Sequence, residues 1–318
     1  MSEVTIIIPN YNGKALLENC IKTLERQTVR DFKLLVVDNG STDGSTQVTS
    51  EILSMQIIAL KENTGFCGAV NLGIRKTDTP YVILLNNDTE VEPNFVEELL
   101  RGIKKGERIF SCSAQMLDYK DHRIVDNAGD VYTLFGWAIA RGKEKPATAF
   151  LEEANIFSSC GGASIYRTKL LHETGLLDEM HFAYLEDVDL GYRAKIYGYV
   201  NRYVPSAKVY HLGSATTGSR YNQKKVALAA RNSIYVIYKN MPLLQCLINI
   251  PFLLTGILVK WLFFSQKGYG RQYIGGVLEG VRTCHKCRKV PFHWTNSCNY
   301  LRIEWELIQN IFQVLSYR

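Results

Sequence analysis

Short unbroken apolar runs alternate with helix-period stretches through the first third of the chain. Residues 4–8 form a continuous β-branched run, the pattern of a strand covered on both faces. A helical stretch over 14–27 follows. The same alternation predicts a strand over 33–38 with a second helix after it, a strand over 56–60, a helix over 65–76 and a strand over 81–85. Such an order builds an α/β fold, a parallel sheet with helices on both faces. From 109 to about 166 the pattern turns irregular, with short β-like pieces and turn residues, which predicts a mixed-sheet half. Within it the segment 136–143, carrying Trp137, Arg141 and Lys143, reads as a mobile loop or an ordinary exposed one. A helix over 186–197, two short strands ending at His211 and a helix over about 226–239 close this part.

The pattern then changes character. Residues 242–264 are almost wholly apolar and approach the roughly 20 residues that span a bilayer, yet Gln245, Asn249, Pro251 and Lys260 interrupt them. Lys267, Arg271, Arg282, Lys286, Arg288 and Lys289 follow, against Glu279 alone. An amphipathic helix pair lying on an anionic membrane surface fits that combination, and a hairpin packed on the rest of the chain or a homo-oligomer contact is the alternative. The expected division is 1–240 as the main domain, with halves of about 1–108 and 109–240, and 241–318 as a helical C-terminal region.

Composition narrows the classes. With 46% hydrophobic and 21% charged residues the chain can bury a sizeable core, which excludes a disordered or collagen-like protein. A net charge of +6 is too mild to indicate nucleic-acid binding without clustering on one face. The opening Met1-Ser2-Glu3 has no basic leader or cleavage site, so the domain is expected to face the cytoplasm, at the inner face of the cell membrane. Cys20, Cys67, Cys112, Cys160 and Cys246 are scattered among apolar neighbours, as reduced buried thiols are. Cys284, Cys287, His293 and Cys298 could supply zinc ligands, although the second pair is irregularly spaced.

Neither a G-x-G-x-x-G turn nor a G-x-x-x-x-G-K-[ST] loop is present, so the two commonest phosphate cradles are missing. In open α/β sheets ligands bind beyond the carboxyl ends of the strands, and here those places hold 9–12, 38–43, 63–65 and 86–89, all polar, with Asp38 and Asp88 among them. A carboxylate for a base or ribose and a divalent cation bridging a diphosphate would suit such ends. Helix capping is the competing role, assigned to Ser41 or Asp43 rather than to Asp38. His211 ends a predicted strand, and both a ligand and an ordinary packed residue are open there. On the 186–197 helix, residues three or four apart share a face, so Asp187 aligns with Leu190, Gly191 and Ala194, and Glu186 with Asp189 and Arg193. Asp189 and Arg193 have the spacing of an exposed structural ion pair.

The ordered set Ile8-Pro9-Asn10-Tyr11-Asn12, 37–45, Asn63-Thr64-Gly65-Phe66 with Gly68, Asn71 and Gly73, Leu84-Leu85-Asn86-Asn87-Asp88-Thr89, Cys160-Gly161-Gly162-Ala163, Glu186-Asp187-Val188-Asp189-Leu190 with Arg193, and His211 resembles family 2 glycosyltransferases of the GT-A fold, in their rhamnosyltransferase-like branch. The resemblance covers residues 4 to about 240. It implies a Rossmann-like mixed sheet and an inverting transfer of a sugar, L-rhamnose favoured, from a nucleotide diphosphate donor to a glycan or lipid-linked acceptor. The donor would be dTDP-rhamnose, with UDP-sugars next. By the same resemblance Pro9, Tyr11, Asp38, Asn63, Gly65, Asn71 and Asn87 contact the nucleotide. Asp88, in a degenerate D-x-D element, and His211 serve Mg²⁺ or Mn²⁺, and Gly161, Gly162 and Glu186 line the sugar or acceptor side. Asp187, at the helix start beside small apolar residues, is the expected base for the acceptor hydroxyl. Rival readings are a sugar nucleotidyltransferase, which should carry a Gly-rich basic loop after the first strand, and a catalytically inactive binding or scaffold subunit.

Overall fold

The computed structural model describes residues 2–213 and 221–316. In chain order its main elements are β1 (Val4–Asn10), α1 (Lys14–Leu24), β2 (Lys33–Asp38), β3 (Met55–Ala59), α2 (Gly65–Lys76), β4 (Tyr81–Leu85), β5 (Thr89–Val91), α3 (Phe95–Lys104), β6 (Ile109–Asp118), β7 (Val125–Asn127), β8 (Asp130–Tyr132), β9 (Ala138–Ala140), β10 (Ala154–Ile156), β11 (Ala163–Arg167), α4 (Thr168–Thr174), α5 (Glu186–Ile196), β12 (Val200–His211), α6 (Gln223–Asn240), α7 (Leu243–Gln266), α8 (Gly270–Thr283) and α9 (Ser297–Ser316).

One mixed sheet runs β10-β12-β6-β11-β4-β1-β2-β3, with β5 added to β12 and β7 to β6. The β3-β2-β1-β4 half is parallel. Its strands are apolar on both faces because helices cover both: Ile6, Ile8 and Val36 pack against α1, while Ile7, Leu35 and Leu84 pack against α2. Each such side chain taken from water contributes about 1.5–3 kcal/mol before chain entropy is charged against it. β11 runs antiparallel to β4 and β6, and β12 lies parallel to β6. The start of β11 and the ends of β4, β6 and β12 therefore share one edge of the sheet.

Three local expectations need correction. No helix follows Asp38, only a single turn at Ser45–Gln47. Side chains take backbone donors of this segment, Asn12 Oδ1 accepting from Thr42 N and Asp43 from Ser45 N, and its own side chains are turned to the start of α1, Ser41 Oγ accepting from Asn12 N and Asp43 from Lys14 N. The two short strands before His211 are one long strand, β12, whose register slips between Val204 and Lys208, around Pro205. A bulge tolerates a residue without an N–H. The segment 136–143 is tied down, since β9 pairs with β8 and Arg141 lies over the rings of Phe150 and Tyr203.

The C-terminal region packs on α5. Tyr300, Ile303 and Leu307 of α9 and Leu253 of α7 join Val188, Tyr192 and Ile196 in one cluster. Residues 243–266 form one helix that continues through Pro251, which sits on its outward face, and α8 follows as its partner, with Ile257 and Phe264 packed against Tyr273 and Val277. Gly276 lets α8 press against α6, where a Cβ would fall 2.3 Å from the Ala227 carbonyl oxygen. Among the described residues no group of three or more His, Cys, Asp or Glu could hold a metal ion, so Cys284, Cys287, His293 and Cys298 do not form a zinc site. Cys284 instead donates to the Val281 carbonyl, and Cys298 is exposed.

Candidate active site

The parallel strands β1, β2 and β4 deliver Asn10, Asp38 and the 86–88 turn to the shared edge. Asp38 is buried there; its Oδ2 accepts from Asn10 Nδ2 at 3.0 Å and its Oδ1 from Ser41 N at 2.9 Å. Asn87 Nδ2 donates to Asn10 Oδ1 at 2.6 Å, so Asn10 links the ends of β2 and β4. Pro9 lies in β1 beside Val37, and Tyr11 stands 40% exposed just beyond it. Asn63 Oδ1 accepts from Asn39 Nδ2 and from Gly65 N, which shapes the turn into α2. Asn71 requires a correction. Its amide donates to the Leu177 carbonyl and to Glu179, and its oxygen accepts from Leu177 N, all at 2% exposure. A side chain so buried and so engaged straps the 177–179 loop and does not reach a nucleotide.

Asp88 and His211 come together although 123 residues separate them. His211 pairs in register with Thr89, which places its Nε2 3.4 Å from Asp88 Oδ1. On the other side of the ring Nδ1 lies 2.8 Å from Asp126 Oδ2, and Asp126 also pairs with Lys143. Burial alone would lower the imidazole pKa, but the bonds to Asp126 and Asp88 outweigh it and raise it to about 9. A cleft of about 420 Å³ opens here, lined by Asn86, Asp126, Lys143, Cys160 and His211 among others. Asp88 Oδ1 and, on losing its proton, His211 Nε2 would be the donors to a divalent cation, which would replace the imidazolium–carboxylate contact, with Asp126 behind the ring to aim the nitrogen.

Cys160 lines the cleft just before β11, and the two residues after it tie that stretch to β4 and to α5. Gly162 O accepts from Asn86 N at 2.9 Å, and Gly161 N donates to Asp187 Oδ2 at 3.3 Å. Asp187 Oδ1 accepts from its neighbour Val188 N at 2.8 Å. Asp187 is thereby fixed one residue from Cys160 in the cleft wall. Burial raises its carboxyl above the ordinary range, with the bonds from Gly161 and Val188 opposing. Glu186 is more deeply buried, its Oε2 has no hydrogen-bond partner among the described residues, and burial together with the charge of Asp187 pushes it up to about 8.

Two acids escaped the sequence reading. Asp126 and Asp130 come from the short strands β7 and β8, where nothing local marks them. Asp130 accepts from Asn127 Nδ2 at 2.8 Å, and burial and the charge of Asp187 raise its carboxyl well above the ordinary range. The Asp189 expectation also changes: the pair with Arg193 exists at 3.1 Å, but Asp189 is 0% exposed and also meets Lys239 and Asn240 at 2.8 Å. A somewhat larger cavity, about 470 Å³, lies away from this edge beside Lys195, Arg302 and Glu306. Lys195 and Glu306 pair with each other at 2.9 Å.

The sequence model of glycosyl transferase family 2 matches residues 5–175. The N-acetylglucosaminyl-diphospho-decaprenol L-rhamnosyltransferase of Mycobacterium tuberculosis is 27% identical over 239 residues, covering 67% of this chain and 77% of that protein. The teichoic acid poly(glycerol phosphate) polymerase of Staphylococcus epidermidis is 32% identical over 96 residues, 29% of this chain, and the match spans only 13% of that larger protein. Among solved structures, the mannosyltransferase PcManGT from Pyrobaculum calidifontis in complex with GDP-Man and Mn²⁺ superposes with a TM-score of 0.57 at 13% identity, over 99% of this chain and 86% of that one. That likeness is one of fold.

Proposed function

The chain belongs to glycosyl transferase family 2, and from that premise we propose that it transfers a sugar, L-rhamnose favoured, from a nucleotide diphosphate donor to a hydroxyl of a lipid-linked glycan with inversion at C1. The observation that carries this reading is that a cleft at the carboxyl edge of the sheet is lined by His211, which meets Asp88, and by Cys160, whose neighbour Gly161 donates to Asp187. Asp187 accepts the proton of the acceptor hydroxyl. That oxygen bonds to C1 as the C1–O bond to the diphosphate breaks, and the electron pair leaves with the nucleoside diphosphate. Asp88 and His211 are the residues that would hold Mg²⁺ or Mn²⁺, which neutralises charge on the leaving diphosphate when bound. Asp126 keeps His211 Nε2 turned toward Asp88. Asp38 and Asn10 frame the base and ribose side.

A rhamnosyl donor and a lipid-linked acceptor are favoured by the Mycobacterium relative, whose name carries both. The test is a panel of nucleotide sugars with release of dTDP or UDP as the readout. dTDP-L-rhamnose should give the fastest release, and EDTA or Asp88→Ala should abolish it. Asp126→Ala should weaken metal affinity by about 10–100-fold, as loss of a partner behind a ligand does. Full turnover in metal-free buffer would remove the cation from the mechanism.

The C-terminal region supports a site at the inner face of the membrane. α7 is built inside out. Its buried stripe holds Gln245 and Asn249, both bonded to Glu304, then Leu253 and Gly256, whereas Leu244, Ile248, Leu254 and Leu258 face outward, Leu254 at 62% exposure. By length and composition α7 could cross a bilayer. Its contacts with the catalytic region continue from Gln245 to Trp137, whose Nε1 donates to Gly256 O, which favours lying along the surface with the outer face in one leaflet. Leu278 and Val281 of α8 extend that face, and Lys267, Arg271 and Arg282 are exposed beside it. The protein should sediment with anionic liposomes at low salt and be released as salt screens the charge component. Absence of low-salt binding would favour burial of this face between copies of the chain.

A further inference from the structure

We infer that Asn232, on α6, is the positioning residue that aims the catalytic base. The inference rests on Asp187 being that base. Helix α5 starts immediately after a run of backbone that bulky residues rarely adopt: Phe182, Tyr184 and Leu185 have φ of 63°, 75° and 65°. Leu185 occupies the N-cap position with no side-chain cap. Strained backbone of this kind persists only where its surroundings over-determine it, and here the surroundings can be named. Asn232 Nδ2 faces the carbonyl oxygens of His181, Ala183 and Tyr184 at 2.9, 2.9 and 2.7 Å. Its Oδ1 accepts from Arg231 Nε at 3.1 Å, and Arg231 donates to the carbonyls of Met180 and His181.

The run is held from its other side by α2. Cys67 N donates to Phe182 O at 3.1 Å, and Gly65, at φ 79°, packs so closely that a Cβ would lie 2.5 Å from that oxygen. The curved segment is therefore pinched between α2 and one fully buried carboxamide of α6. Asp187 sits in the first turn after the pinch. With one side chain facing three carbonyls within four consecutive residues, 181–184, the direction in which α5 leaves the run depends on Asn232. Truncating it frees the run to relax and swings the first turn of α5, carrying Asp187 away from Gly161. The side chain touches neither donor nor acceptor and acts only through Asp187.

The experiment compares Asn232→Ala with the parent protein for kcat and for calorimetric affinity toward dTDP or UDP, whichever the donor panel identifies. We expect kcat per folded molecule to fall on the order of 10²-fold, the cost of a ~1 Å misplacement, with nucleotide affinity within about twofold. Should Asn232→Ala fail to fold, Arg231→Gln removes the outer part of the same grip at a less buried position, and a fall in kcat at unchanged affinity is again the expected result. Parental kcat per folded molecule beside a lowered Tm would make the contact merely structural and overturn the inference, as would kcat and affinity falling together. Asp187→Asn run in parallel separates the inference from its premise. Near-normal turnover there overturns the base assignment and this inference with it, whereas an inactive Asp187→Asn beside a fully active Asn232→Ala overturns the inference alone.

Discussion

Asp187→Asn should cut turnover by about 10²–10⁴, the usual worth of a general base, while leaving donor affinity near the parental value. The expectation comes from geometry first. Asp187 is held by Gly161 N and Val188 N, one bond to each carboxylate oxygen, which leaves acceptor capacity on both for a substrate hydroxyl. Asparagine keeps the size but can accept only one of the two backbone bonds, and it has no basic oxygen. Its pH signature follows from the raised carboxyl. A base must be deprotonated, so activity should fall as pH drops through the Asp187 pKa, and burial places that fall above the ordinary aspartate range. Raising the pH restores the base. Rate against pH for the parent, with affinity for the nucleoside diphosphate measured by calorimetry in both proteins, checks each part. Near-normal turnover in Asp187→Asn would move the base elsewhere, with Glu186 and Asp130 the nearest acids to examine.

The legible part of this fold is the part where one pattern decides. Strands over 33–38 and 81–85 are recovered to the residue because both of their faces are buried from Leu34 to Val37 and from Tyr81 to Leu85, so those runs are unbroken up to the polar edge. The helix at 65–76 begins where Gly65 must turn the chain against Phe182. Patterning fails where side chains compete with backbone, as Ser41, Asn12 and Asp43 do after β2, and where a bulge lets a strand run through Pro205. In the site, Asp88, Asp187 and His211 lie at strand ends or a helix start, positions that announce themselves. Asp126 and Asp130 do not, because only the folding of β7 and β8 brings them to the cleft. Asn232 is invisible for a related reason. Mid-helix asparagine reads as an exposed polar residue until the carbonyls of a segment about 50 residues earlier are found around it. Asn71 misled in the opposite sense, since a polar residue on a helix beside the site was engaged in strapping a loop.

Asp189→Asn should destabilise the protein by about 3–5 kcal/mol, the cost of removing one partner from a buried ion group, and not by the ~0.3–0.5 kcal/mol of an exposed i,i+4 pair. The difference is burial. Asp189 stands in the interior with Arg193 one turn on and with Lys239 and Asn240 arriving from α6, and Lys239 also pairs with Asp178 at 2.8 Å. Replacing the carboxylate leaves two buried cations sharing fewer acceptors, and Arg193 is further needed to bond the carbonyls of Thr174, Gly175 and Leu176. The sign with pH follows from the charge state. Burial alone would raise the Asp189 carboxyl, but Lys239 and Arg193 outweigh it and hold the group well below its ordinary value. Its contribution is therefore complete above the unfolded aspartate pKa of about 3.9 and lost as pH falls through the depressed folded value. Denaturant unfolding of parent and variant should differ most at neutral pH and converge only in strong acid. A neutral-pH difference under about 1 kcal/mol would mean that the group behaves as an exposed pair, and that the junction of α5 and α6 is held by the apolar contacts of Val188, Tyr192 and Val236 alone.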